Sequence, residues 1–137
     1  ASTYYFTVNT PNSIDIFICL DTGSGTLGSK QLEWLKQVLE ERHNYRNCML
    51  FTHCNFFRNR HTGSTNPLVE ELHVLLELCA KYKVNTVITG HDHKKDVVEL
   101  GETTFITTDA LHDDYKNAGY LQLEISGKDI GYNFINF

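Results

Sequence analysis

Two histidines stand one residue apart in Gly90-His91-Asp92-His93, directly after the β-branched run Val84–Thr89. Imidazole is the commonest side-chain metal ligand, and it titrates near neutral pH without perturbation. Gly90 is expected to let the backbone turn sharply where the strand stops. A third histidine, His53, follows a second apolar run, Cys48-Met49-Leu50-Phe51-Thr52. Histidines at the ends of two buried strands point to a metal site at the carboxyl edge of a sheet, where open α/β sheets hold their ligands. His-x-His in a loop is a weak motif by itself; the strand-end placing and His53 strengthen it. The two imidazoles could face one ion together or diverge to two neighbouring ions.

The other histidines carry less. His43 closes a helix ending Glu40-Glu41-Arg42-His43, where a cation suits the helix dipole. His73 lies between Leu72 and Val74 and reads as a solvated helix position. The loop from Asn55 to Asn66 holds Arg58, Arg60 and His61. Arginine binds phosphate bidentately, so these three are candidate substrate contacts, against the plainer reading of a solvated polar loop. Asp109-Ala110-Leu111-His112-Asp113-Asp114 could line the same edge, with no spacing argument behind it.

These residues need elements to hold them. Tyr4–Val8 and Ile14–Leu20 read as strands, and Ser29–Arg42 as a helix with Leu32, Leu35, Val38 and Leu39 on one face. A strand over Cys48–Thr52 precedes a second helix, capped by Asn66 with Pro67 at its first position and striped by Leu68, Leu72, Leu75, Leu76 and Cys79. Val84–Thr89 is the next strand. After His93 the pattern turns to antiparallel strands: Val97–Leu100, Thr104–Thr108, Tyr120–Ile125 and Gly131–Phe137. The order ββαβαβ followed by hairpins predicts an α/β layered domain with a mixed β-sheet and flanking helices.

Composition bounds the rest. At 137 residues, residues 1–137 make one domain, and 41% hydrophobic residues suffice for its core. The net charge of −5, with no basic tract, argues against a nucleic-acid partner. No apolar run reaches the roughly 18 residues that span a bilayer, and the opening Ala1–Tyr5 reads as strand rather than signal peptide. Cys19, Cys48, Cys54 and Cys79 form no Cys-x-x-Cys pair. Cys19, Cys48 and Cys79 read as buried free thiols, and Cys54 as a small residue at a strand end. Unpaired thiols favour a reducing, cytoplasmic compartment.

Three segments together resemble the calcineurin-like metallophosphoesterases. Phe17-Ile18-Cys19-Leu20-Asp21-Thr22 with Gln31-Leu32-Glu33-Trp34-Leu35 looks like the family's strand–loop–helix; Phe51-Thr52-His53 is similar to its strand-end histidine; Gly90-His91-Asp92-His93 matches Gly-His-x-His. The resemblance implies half of a four-layer αββα sandwich and hydrolysis of phosphate mono- or diesters by a water activated between two divalent metals (Mn, Fe or Zn) held about 3.5–4 Å apart. It assigns His53 and His91 to one metal and His93 to the other, and leaves Asp92 out of the ligand set.

Elements that the family carries upstream, Asp-x-His, Gly-Asp-x-x-Asp and Gly-Asn-His, are not in this sequence. The proline often found two past the strand-end histidine is Asn55 here. The chain therefore looks like the carboxyl-terminal half of such a domain. By itself it is expected to bind one metal or none and to have little or no activity. Its implied partners are a phosphate-ester substrate, the amino-terminal half of the same domain and, through an uncovered apolar sheet face, a second copy of itself. The alternative is a degenerate half kept as a non-catalytic binding module.

Overall fold

The computed structural model describes residues 2–57, 69–110 and 118–137. Its elements, in chain order, are β1 (Tyr4–Thr10), β2 (Ser13–Cys19), α1 (Ser29–Glu40), β3 (Cys48–Phe51), α2 (Val69–Lys81), β4 (Thr86–Thr89), β5 (Asp96–Leu100), β6 (Thr103–Thr107), β7 (Gly119–Ser126) and β8 (Asp129–Asn136). The expected α/β class, a mixed sheet with flanking helices, is the one observed. The first six strands form one sheet in the order β1-β2-β3-β4-β6-β5, and among the described residues β7 pairs with β8 alone.

Within the sheet, β2, β3, β4 and β6 run parallel, with antiparallel β1 and β5 at the edges. Parallel neighbours laid out in chain order need right-handed crossovers on one side. Both helices accordingly bury their apolar stripes on the same face. Leu35 and Leu39 of α1 and Leu72, Leu75 and Cys79 of α2 share one core with Ile16, Ile18, Cys48, Leu50, Val87 and Phe105. The solvated reading of His73 holds, since its side chain is exposed.

Several boundaries and one topology differ from expectation. Helix α1 stops at Glu40, and His43 sits exposed in a separate 3-10 turn, Arg42–Asn44, rather than in the last helical turn. The segment after His93 is not wholly antiparallel, because β6 joins the main sheet parallel to β4. Burial explains this. Thr103-Thr104-Phe105-Ile106-Thr107 is covered on both faces, as an internal parallel strand must be, and its lack of polar alternation is the mark of that. Cys19 is half-buried; Cys48, Cys54 and Cys79 are buried, and all four are free thiols. The Asn66–Pro67 cap lies outside the described residues.

The sheet's other face presents Tyr4, Phe6 and Val8 of β1, Phe17 and Cys19 of β2, Met49 and Phe51 of β3, Ile88 of β4 and Ile106 of β6, one register row beside the next. Met49 and Ile106 are nonetheless fully buried. The β7–β8 hairpin supplies an apolar face, with Leu121, Leu123 and Ile125 half-buried. It is tied down at both ends: Asn47 Nδ2 donates to Gly127 O at 2.7 Å, and the Lys95 ammonium bonds Asn136 and lies 5.4 Å over the Phe134 ring. The β1 end of the face stays open, where Tyr4, Phe6 and Val8 keep 54%, 47% and 47% of their surface exposed. Phe6 stacks on Phe17 there at 4.9 Å. So the face is closed in part by the chain's own hairpin and left apolar in part.

Candidate metal centre

Strands β3 and β4 are adjacent and parallel, with Phe51 paired to Ile88, so the chain leaves both at the same edge of the sheet. That places the His53 and His91 turns side by side. The two turns are joined by their backbones, for Gly90 N donates to His53 O at 3.0 Å. The imidazoles meet edge to face, ring centroids 4.9 Å apart, with His53 Nε2 and His91 Nδ1 at 2.9 Å. His91 Nε2 is buried without a hydrogen-bond partner among the described residues.

The sharp turn is not made by Gly90. The left-handed conformations belong to the histidines themselves, at φ 69° for His91 and 50° for His93. Non-glycine residues avoid that region because Cβ crowds the following carbonyl. Such strain persists where surrounding structure over-determines it, and it clusters at functional sites. Asp92, between the two, sends its carboxylate to Asn55, whose Nδ2 lies 3.1 Å from Oδ2.

Electrostatics favour a neutral His53 ring. Partial desolvation, and then the neighbouring His91 and His93, hold the His53 imidazole below its ordinary pKa. A neutral imidazole is the ligating form. Two nitrogens on one tetrahedral zinc, each about 2.0–2.1 Å from it, lie about 3.3–3.4 Å apart. The His53–His91 spacing of 2.9 Å is close to that, so a small opening with loss of the shared proton would seat a cation between them. Among the described residues, no group of three or more histidine, cysteine or acidic side chains converges on one metal position. The pair thus fits two positions of a coordination sphere and supplies no third. Arg58, Arg60, His61 and His112 lie outside the described residues.

Sequence reasoning missed the polar shelf beneath these turns. Thr22, Thr52, Thr89 and Thr107 each follow or end one of the four parallel strands. Their hydroxyls pair across the edge, Thr22 with Thr52 at 2.7 Å and Thr89 with Thr107 at 3.1 Å. Asn55 is buried, its amide bridging Asp92 and Thr107 and its Oδ1 accepting from Phe57 N. The signal was present as a threonine recurring at strand ends. Cys54 is a buried small residue as expected, its thiol donating to Thr22 O.

No family model matches this sequence, and no curated protein matches it in sequence. Solved structures do match in three dimensions. GAP50, the anchor in the inner membrane complex of Plasmodium, superposes with a TM-score of 0.64 at 20% identity over 95% of this chain and 44% of its own. PhoD gives 0.55 at 16% identity over 77% of this chain and 28% of its own. A Staphylococcus aureus protein described as a 5′-nucleotidase, solved with alpha-ketoglutarate, gives 0.52 at 18% identity over 75% of this chain and 23% of its own. The chain spans less than half the length of each of these three proteins. At such identities the likeness is one of fold: the mixed α/β layers of this chain, half of an α/β sandwich, are an arrangement found within GAP50, PhoD and the nucleotidase.

Proposed function

We propose that this chain is the carboxyl-terminal part of a metal-dependent phosphoesterase domain and contributes His53, His91 and His93 to its metal centre. The observation that carries this reading is the facing pair His53 Nε2 and His91 Nδ1, 2.9 Å apart at the carboxyl edge of parallel strands. The fold likeness to a 5′-nucleotidase supports it. When bound, a pair of divalent ions (Mn, Fe or Zn) would acidify a water and stabilise charge on the ester oxygens. The chain's own part is to hold imidazoles at fixed spacing: His53 and His91 toward one ion, His93 toward the second. Carboxylate and asparagine ligands would come from sequence beyond these residues, and Arg58, Arg60 and His61 would meet the phosphate ester.

A second reading is favoured by one finding. The superposition on GAP50 takes in 95% of this chain, and GAP50 is described as an anchor. In that reading the fold is a binding module and the histidine pair is a remnant.

Titrating the 137-residue chain with Zn²⁺ or Mn²⁺ in a calorimeter separates the two. The expected result is one weak site lost in His53→Ala and in His91→Ala, with no phosphatase activity on an aryl phosphate. Heat indistinguishable between wild type and both variants would leave the anchor reading standing. Full aryl-phosphate hydrolysis lost in His91→Ala would show that the site needs no further ligands.

A further inference from the structure

The threonine shelf does more than fill the sheet edge. Thr22 sits in the loop that leaves β2, and its side chain is 2% exposed. Its hydroxyl oxygen lies 3.1 Å from His53 N and 2.9 Å from Cys54 N, accepting from both, and 2.7 Å from Thr52 Oγ1. Its carbonyl takes the Cys54 thiol. Four contacts from one residue therefore enclose the turn that carries His53. The turn's other side is held by Gly90 N on His53 O. The His53 backbone is thus gripped between the β2 loop and the loop that carries His91, and the ring-to-ring spacing follows from that grip.

We propose that Thr22 is a positioning residue for the imidazole pair, its buried hydroxyl setting where His53 stands relative to His91. This rests on the metal reading above only for its metal arm. Two amide donors converge on one oxygen, so the hydroxyl can satisfy both by its lone pairs while giving its own hydrogen to Thr52. Valine, the same shape without the hydroxyl, leaves both amides without their acceptor and frees the turn. Serine keeps the oxygen and loses only a methyl group. Partners that orient a metal ligand are typically worth about 10–100-fold in affinity.

The test uses the full chain as wild type, Thr22→Val, Thr22→Ser, and Ile16→Val as a core change remote from the site. In metal-free protein, the nuclear Overhauser contact between the His53 and His91 rings is expected in wild type, Thr22→Ser and Ile16→Val, and to be lost or strongly weakened in Thr22→Val. With Zn²⁺ alone as probe, Thr22→Val is expected to bind about 10–100-fold more weakly, and Thr22→Ser to match wild type within about threefold. An unchanged ring contact in Thr22→Val, or the same loss in Ile16→Val, overturns the positioning role. Should wild type bind no Zn²⁺, the pair by itself is not a metal site, and the metal-free ring contact still decides the role of Thr22.

Discussion

His93 is an exposed residue held at φ 50° on the strand-end turn, in the left-handed region. Glycine adopts this region freely, whereas a β-branched side chain in it is a genuine outlier. His93→Val is therefore expected to be about 1–2 kcal/mol less stable than His93→Gly. Chemical denaturation of the two variants checks this, and equal stabilities would mean that the turn is not strained.

Among the elements, α1 and the loop before it show how one side chain can fix a whole segment. Gln31 Oε1 accepts from Asp21 N at 2.9 Å and from the Thr3 hydroxyl, and Nε2 donates to Asp21 O at 2.8 Å and Leu27 O at 2.9 Å. The amide thus clasps both ends of the β2–α1 loop, the loop that presents Thr22. From α2, Glu71 accepts from Leu27 N and Gly28 N, capping α1 where Gly28 has no side chain to do so. Gln31→Ala is expected to cost about 1–3 kcal/mol, because it leaves half-buried backbone groups unpaired. Gln31→Glu should cost at least as much, since a carboxylate can only accept and two carbonyls face it. Urea melts of the two variants measure this, and a stable Gln31→Glu protein would show that the clasp is dispensable.

On the scale of the whole molecule, one buried acid links the sheet to its hairpin cover. Asp15, 3% exposed, receives Arg46 Nε and Nη2 at 3.0 and 2.6 Å and both Asn47 N and Nδ2 at 3.1 Å. The same Asn47 amide reaches Gly127 O at the hairpin turn. The Arg46 guanidinium, above all through its hydrogen bonds, holds the Asp15 carboxyl below its ordinary pKa. A depressed carboxylate stabilises the fold fully above its unfolded pKa of about 3.9, and that stability is lost as pH falls through the folded value. His53, also depressed, acts earlier: the unfolded chain takes up its proton from about pH 6.5 downward while the folded chain resists, so stability already declines there. Acid titration followed by circular dichroism is expected to show both windows. Asp15→Asn should remove the lower one and lower stability at neutral pH, since a neutral amide replaces the carboxylate that takes four donors from Arg46 and Asn47. An unchanged acid limb in Asp15→Asn would place the acid sensitivity elsewhere.

Much of this architecture was legible in the residues. Period-3.6 stripes placed both helices to within a few residues, and β-branched runs located the strands, because each pattern is a local response to burial on one face or two. The ββαβαβ order, with short loops, was enough to expect parallel neighbours and a shared carboxyl edge for His53, His91 and His93. What only the tertiary structure decided is non-local. β6 lies between β4 and β5, parallel to the first and antiparallel to the second, a placing that the hairpin signal by itself does not reveal. The left-handed turns fall on His91 and His93 rather than Gly90 because the loop is fixed at both ends by neighbouring strands. The Thr22 hydroxyl reaches His53 across 31 residues of sequence, a contact that no spacing rule encodes. Local periodicity reports which face of an element is apolar; which side chains then meet at the end of a sheet depends on strand order and register, and those are settled only when the layers pack.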